Sequence, residues 1–125
     1  MHYCWTTLHV RDMEASLKFY QEVVQLPLSR RFPAGPGREI AFLGAEATQV
    51  ELISDLDCQE VAFGASISLG FRVDDLDAKL HEMASRGIQV HSGPFQPNPL
   101  IRFFYIQDPD GLLVQFVEEK PALNN

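Results

Sequence analysis

Few side chains in this chain are placed for familiar chemistry. Arg30, Arg31 and Arg38 flank a Pro-Ala-Gly-Pro-Gly turn at 33–37. Guanidinium forks on a tight loop suit an anionic group, and they equally suit a solvated hairpin edge. Of the histidines, His9 ends a candidate strand, His81 lies away from the apolar stripe of a helix, and His91 precedes a Gly/Pro-rich loop where it could meet a ligand. Cys4 and Cys58 form neither a disulfide framework nor a metal knuckle, and they read as buried or incidental thiols. No Gly-x-Ser-x-Gly elbow or phosphate-cradling glycine loop is present. Covalent catalysis is therefore not indicated.

The charge balance narrows the partners. Ten Lys/Arg against seventeen Asp/Glu give a net charge of −7 over 125 residues. The excess is spread over both halves, which argues against nucleic acid. It would favour a cationic ligand or simply keep the protein soluble. No apolar run approaches the ~20 residues of a membrane span, and the N-terminus lacks a basic segment followed by an apolar stretch. The expected location is cytoplasmic, with no membrane partner.

A repeat must position whatever site exists. Val10, Asp12, Met13, Glu14, Ala15 and Leu17 recur as Val73, Asp75, Leu76, Asp77, Ala78 and Leu80, each 63 residues later. Both copies read as a strand running into a helix. Asp12 and Asp75 sit where an N-cap accepts orphan backbone N–H bonds. Glu14 and Asp77 place negative charge in the first turn, against the positive end of the helix dipole.

The first copy continues as a β-α-β-β-β module: strand 3–10, helix 12–25, and strands 28–32, 38–43 and 48–53. The second repeats the order: strand 66–73, helix 75–86 closed by Gly87, a short strand 88–91, a Gly/Pro turn at 93–99, and strands 101–106 and 112–117. The last two are joined by the tight turn Asp-Pro-Asp-Gly at 108–111. The modules are bounded at 1–54 and 65–120, with a linker at 55–64 and a tail at 121–125. Chains of about sixty residues bury only ~60% of their unfolded surface, so the modules are expected to pack together, within one chain or between two.

Paired β-α-β-β-β modules, the strand-then-Val-x-Asp junctions at 10–17 and 73–80, and the Asp-Pro-Asp-Gly turn before a strand ending at Glu118-Glu119 together resemble the vicinal oxygen chelate superfamily. That family includes glyoxalase I, fosfomycin-resistance enzymes, extradiol dioxygenases and bleomycin-resistance proteins, and the likeness runs from Tyr3 to about Lys120. The resemblance implies an α+β fold of two tandem βαβββ modules whose curved mixed sheets form a cup, commonly as a homodimer. In metal-dependent members each module supplies two ligands to one divalent metal. One is typically a His seven residues before the capping Asp, and the other a Glu on the fourth strand. Such an open site suits a Lewis acid.

Carried over residue by residue, the pattern falls on Trp5, Glu51, Ser68 and Gln115, and only Glu51 is the expected type. One carboxylate with an amide and a hydroxyl would hold Zn²⁺ or Ni²⁺ poorly. No cofactor is therefore expected. A divalent Zn, Ni, Co, Mn or Fe, if bound, would fall to Glu51, Gln115 and His9, which shares a strand face with Trp5. Without metal, Trp5 offers an indole for stacking an aromatic or cationic ligand, or it fills the space the metal vacates. Glu51 is a ligand's charge partner, a general base, or an acid tied to a local arginine. Trp5, His9, Glu51, Ser68 and Gln115 are the candidate ligand-binding set, helped by Phe104 or Tyr105. The resemblance thus leads to a small-molecule-binding protein similar to the bleomycin-resistance type. The alternative is a glyoxalase I-like lyase (lactoylglutathione lyase) or related dioxygenase.

Overall fold

The computed structural model describes residues 1–121; of the predicted tail, 122–125 lie outside the described residues. The chain divides into two compact units, Met1–Ala62 and Phe63–Asn125. In the first unit the order is β1 (Trp5–Val10), α1 (Met13–Lys18), β2 (Leu28–Pro33), β3 (Arg38–Leu43) and β4 (Gln49–Asp55). The second unit repeats it with β5 (Ser68–Arg72), α2 (Leu76–Ser85), β6 (Ser92–Asn98), β7 (Ile101–Gln107) and β8 (Leu113–Glu119). Each unit holds one four-stranded mixed sheet, ordered β1-β4-β3-β2 or β5-β8-β7-β6. The first strand runs parallel to the last, and the other neighbours are antiparallel.

Strand alternation sorts each sheet into two faces. In unit one Leu8, Val10, Ala41, Leu43 and Leu52 are buried together with Leu17 and Tyr20 of the helical segment. In unit two Phe104, Ile106, Val114 and Phe116 are buried, as are Leu76 and Met83 of α2. Asp12 and Asp75 are the N-caps, accepting hydrogen bonds from the backbone N–H of Ala15 at 3.2 Å and of Ala78 at 3.0 Å.

Three features depart from the expected elements. First, the α-geometry of α1 stops at Lys18 and a π-turn follows at Phe19–Val23. The repeat explains it. From cap to the first left-handed residue, unit one runs from Asp12 to Gln25 (φ 66°) and unit two from Asp75 to Gly87 (φ 69°). The first segment is one residue longer, and a π-turn is how a helix absorbs one extra residue. The closing bonds agree: Leu26 N–H reaches the Tyr20 carbonyl, six residues back, whereas Ile88 N–H reaches Met83, five back.

Second, residues 88–91 form no strand. The strand is β6, built from the Gly93–Asn98 stretch expected to be a turn. Pro94 and Pro97 are tolerated because β6 is an edge strand, where a missing N–H breaks no ladder. Its register slips twice, between Ser92 and Phe95 and between Phe95 and Asn98.

Third, β2 carries a register shift between Leu28 and Arg30, leaving Ser29 as an extra residue. Leu28 lies opposite Leu43 and Arg30 opposite Phe42, and those partners point to opposite faces of β3. In a regular strand Leu28 and Arg30 would share a face. The bulge separates them.

Candidate functional site

The face of the first sheet turned away from the helix is built by four residues in one cross-strand row. Thr7 of β1 pairs with Glu51 of β4, Glu51 with Phe42 of β3, and Phe42 with Arg30 of β2. Directly opposed residues share a face, so all four project together. Trp5 and His9, two positions either side of Thr7, project with them.

The contacts within the row are specific. The Thr7 hydroxyl donates to Oε1 of Glu51 at 2.5 Å. The Trp5 ring meets Phe42 edge-on, with centroids 5.1 Å apart and planes at 75°. Phe32 stacks on Phe42 at 6.4 Å. The Arg30 guanidinium lies over the Phe42 ring at 4.2 Å, within cation–π range. Phe42 is buried, while Trp5 keeps 42% of its surface exposed.

In unit two the corresponding row is Gly70, Gln115, Tyr105 and Ser92. The Gln115 amide donates to the Tyr105 hydroxyl at 3.2 Å. Gly70 has a packing reason here: a Cβ would stand 3.1 Å from the Gln115 amide oxygen. Ser68 is exposed on the same strand face as Gly70. Tyr105 lies on this face, and Phe104 is core, packed against Phe116 at 5.5 Å.

Of the predicted residues, Trp5, His9 and Glu51 thus share one face of the first sheet, and Ser68 and Gln115 one face of the second. Glu51 is held by Thr7 rather than tied to an arginine; no ion pair to it occurs among the described residues. The three arginines of the β2–β3 hairpin do not all meet. Arg31 and Arg38 line one open groove of about 670 Å³ beside the turn, where Arg31 is claimed by Glu14 and Glu39, and Arg30 stays on the Phe42 face. The hydrogen bonds that Arg31 donates to Glu39 and Glu14 push its own pKa up, and those to Glu39 hold that carboxylate below the ordinary range. His81 and His91 are exposed, the latter with Nδ1 3.3 Å from the Ser92 hydroxyl. Cys4 and Cys58 are both exposed, contrary to the buried-thiol alternative.

Sequence reasoning missed Thr7, Phe32 and Phe42, and it named Arg30 only as one of three arginines around the turn. Thr7 was findable as the residue two beyond Trp5 on the same strand. The face that Arg30 takes was not legible, since it depends on the bulge.

The donor set does not fit a divalent metal. Indole presents no lone pair for coordination, and Ser68 and Gln115 are neutral, poor ligands, which leaves only Glu51 and His9 as ordinary donors. Among the described residues no three His, Cys, Asp or Glu side chains are grouped to hold one. No described helix is long and apolar enough to cross a membrane.

The profile of the Glyoxalase/Bleomycin resistance protein/Dioxygenase superfamily matches residues 2–116. The chain belongs to this superfamily. YwbC, an uncharacterized protein of Bacillus subtilis, is 34% identical over 120 residues, covering 90% of this chain and 94% of its own. The lactoylglutathione lyase of Haemophilus influenzae is 30% identical over 123 residues, covering 92% and 90%. Among solved structures, TnmS3, an antibiotic binding protein from Streptomyces sp. CB03234, superposes with a TM-score of 0.76 at 25% identity, covering 96% of this chain and 97% of that one. Both paired mixed sheets and the βαβββ order are those of the family's two-module fold.

Proposed function

We propose that this member of the superfamily is a small-molecule-binding protein that works without the divalent metal common in the family. The observation that carries the reading is Trp5: an exposed indole standing edge-on to Phe42, where metal-dependent members carry a histidine. An aromatic floor with a few fixed polar groups is what orients a bound small molecule. We assign Trp5, His9 and Glu51 to ligand contact in module one, and Ser68 and Gln115 to the matching face of module two. The ligand is aromatic or cationic, the protein cytoplasmic, the modules run 1–54 and 65–120, and the assembly is a homodimer. Likeness to TnmS3 over almost the whole of both chains supports this reading.

The second reading is a lyase, favoured by the relatives named lactoylglutathione lyase. Glu51 would then serve as general base, since acid–base catalysis needs only one well-placed carboxylate. A thermal-shift screen of aromatic, cationic and thiol-conjugate compounds, with and without Ni²⁺ or Zn²⁺, beside a methylglyoxal–glutathione assay, separates the two. Metal-independent stabilisation that is abolished in Trp5→Ala supports binding. Turnover that appears only with metal sinks it. In the complementary experiment, Trp5→His with Ser68→His and Gln115→Glu should load one divalent ion per chain by elemental analysis, with the parent loading none.

A further inference from the structure

We infer that the module-two face binds an uncharged aromatic carboxamide, with its ring on Phe95, its carbonyl oxygen on the Tyr105 hydroxyl and its N–H on Oε1 of Gln115. The inference rests on the binding reading above and gives the face of Ser68 and Gln115 a ligand class.

Phe95 is placed there by a slip in β6. Ser92 opposes Tyr105, and Phe95 opposes Phe103. Three residues apart on a regular strand, Ser92 and Phe95 would point to opposite faces. The register shift between them sets both on the Tyr105 face. Phe95 packs against Phe103 with centroids 5.5 Å apart, and Phe103 meets Tyr105 edge-on at 5.9 Å. Phe103 is half-buried in this series, whereas Phe95, on the outermost strand, keeps 45% of its surface exposed. Its ring is open to a stacking partner.

The polar groups beside it are half used. Nε2 of Gln115 donates to the Tyr105 hydroxyl at 3.2 Å, so the phenol's own hydrogen is left to be donated elsewhere. It meets no acceptor among the described residues, and Oε1 of Gln115 meets no donor. Gly70 keeps the approach to that oxygen clear, since a Cβ would stand 3.1 Å from it. The Gly70 backbone is not left-handed, so the position uses the missing side chain and not conformational freedom. Glycine inside a strand often marks the close approach of a ligand.

Charge sets the class. Among the strand residues of this face only Arg72 and Glu119 are charged, and they pair with each other at 3.4 Å. An ionised ligand would lose water here without gaining a counter-charge. A carboxamide presents one acceptor and one donor on the same edge, to match the one donor and one acceptor left over on Tyr105 and Gln115.

The test uses three probes of one shape: naphthamide, methyl naphthoate, which keeps the carbonyl without the N–H, and naphthoate, the anion. Affinities come from calorimetry on the whole protein, and backbone amide NMR shifts locate the site. One neutral hydrogen bond is worth about fivefold in Kd. The amide should therefore bind about fivefold tighter than the ester, with the anion weakest and the largest shifts at Gly70, Tyr105 and Gln115. Tyr105→Phe should weaken amide and ester alike, Gly70→Ala should remove the amide's advantage over the ester, and Phe95→Ala should weaken both by one factor. Thermal melts confirm that each variant is folded. Equal Kd values for amide and ester, a Tyr105→Phe protein that binds the amide like the parent, shifts confined to the first unit, or failure of all three probes to bind would each overturn the inference. The binding reading is decided separately, by whether metal-independent stabilisation in the wider screen is abolished in Trp5→Ala.

Discussion

The two helices end on residues with almost the same left-handed backbone, one a glutamine and the other a glycine, and exchanging these types gives a sharp test of the repeat. Gln25 has φ 66° and Gly87 φ 69°. For a residue with a Cβ the left-handed conformation costs ~1–2 kcal/mol. A glycine gives back ~0.4–1 kcal/mol of that through the greater freedom of its unfolded chain. Gln25→Gly should thus stabilise unit one by about 0.5–1 kcal/mol. Gly87→Ala should destabilise unit two by a similar ~0.5–1 kcal/mol, with no steric contribution, because a Cβ there meets nothing within 4 Å. For a protein of this size these changes are about 2–4 °C in Tm, in opposite directions. Urea melts followed by far-UV circular dichroism report both units, and Trp5 fluorescence reports unit one. A Gln25→Gly protein that melts earlier than the parent, or a Gly87→Ala protein that melts with it, would refute the argument that the two ends are equivalent left-handed caps.

Further outcomes concern the site and the turns. Phe42 is 3% exposed and touches Trp5, Phe32 and Arg30, so Phe42→Ala should cost about 3–5 kcal/mol and shift Trp5 emission to the red. Unchanged emission would mean that Phe42 does not seat the indole. Asp108 is 5% exposed and its Oδ1 accepts from the N–H of Asp110 at 2.8 Å and Leu112 at 2.9 Å; Asp108→Ala should lose about 2–3 kcal/mol in denaturant titration by stranding those donors. Glu39 and Asp77 are held below the ordinary carboxylate range by hydrogen bonds from Arg31 and Arg102. In both cases the unfolded chain binds the proton first. Their stabilisation is therefore present above about pH 4 and lost as pH falls through the lowered folded values. Stability measured across the acid range should fall below that point, and the fall should be shallower in Glu39→Gln with Asp77→Asn; an unchanged slope would remove both pairs from the acid response.

Local and periodic information was enough for the two-module plan. The 63-residue offset, the caps at Asp12 and Asp75 and the turn at 108–111 each depend on side chains within a few residues of one another, so their signals survive in one dimension. Trp5, His9 and Glu51 were legible as neighbours on one face for the same reason: alternation along a strand, with the family pattern linking β1 to β4. The π-turn was not legible, because the extra residue between Asp12 and Gln25 is marked only by the left-handed backbone at Gln25. What only the tertiary structure decided is which strands are neighbours and in what register. The bulge at Ser29 places Arg30 over Phe42 instead of beside Leu28, and an edge position lets a strand run through Gly93-Pro94 where local preference asks for a turn. The physical reason is that strand pairing is made with residues far along the chain, so a one-residue slip reverses every side chain's face without changing a letter of the sequence.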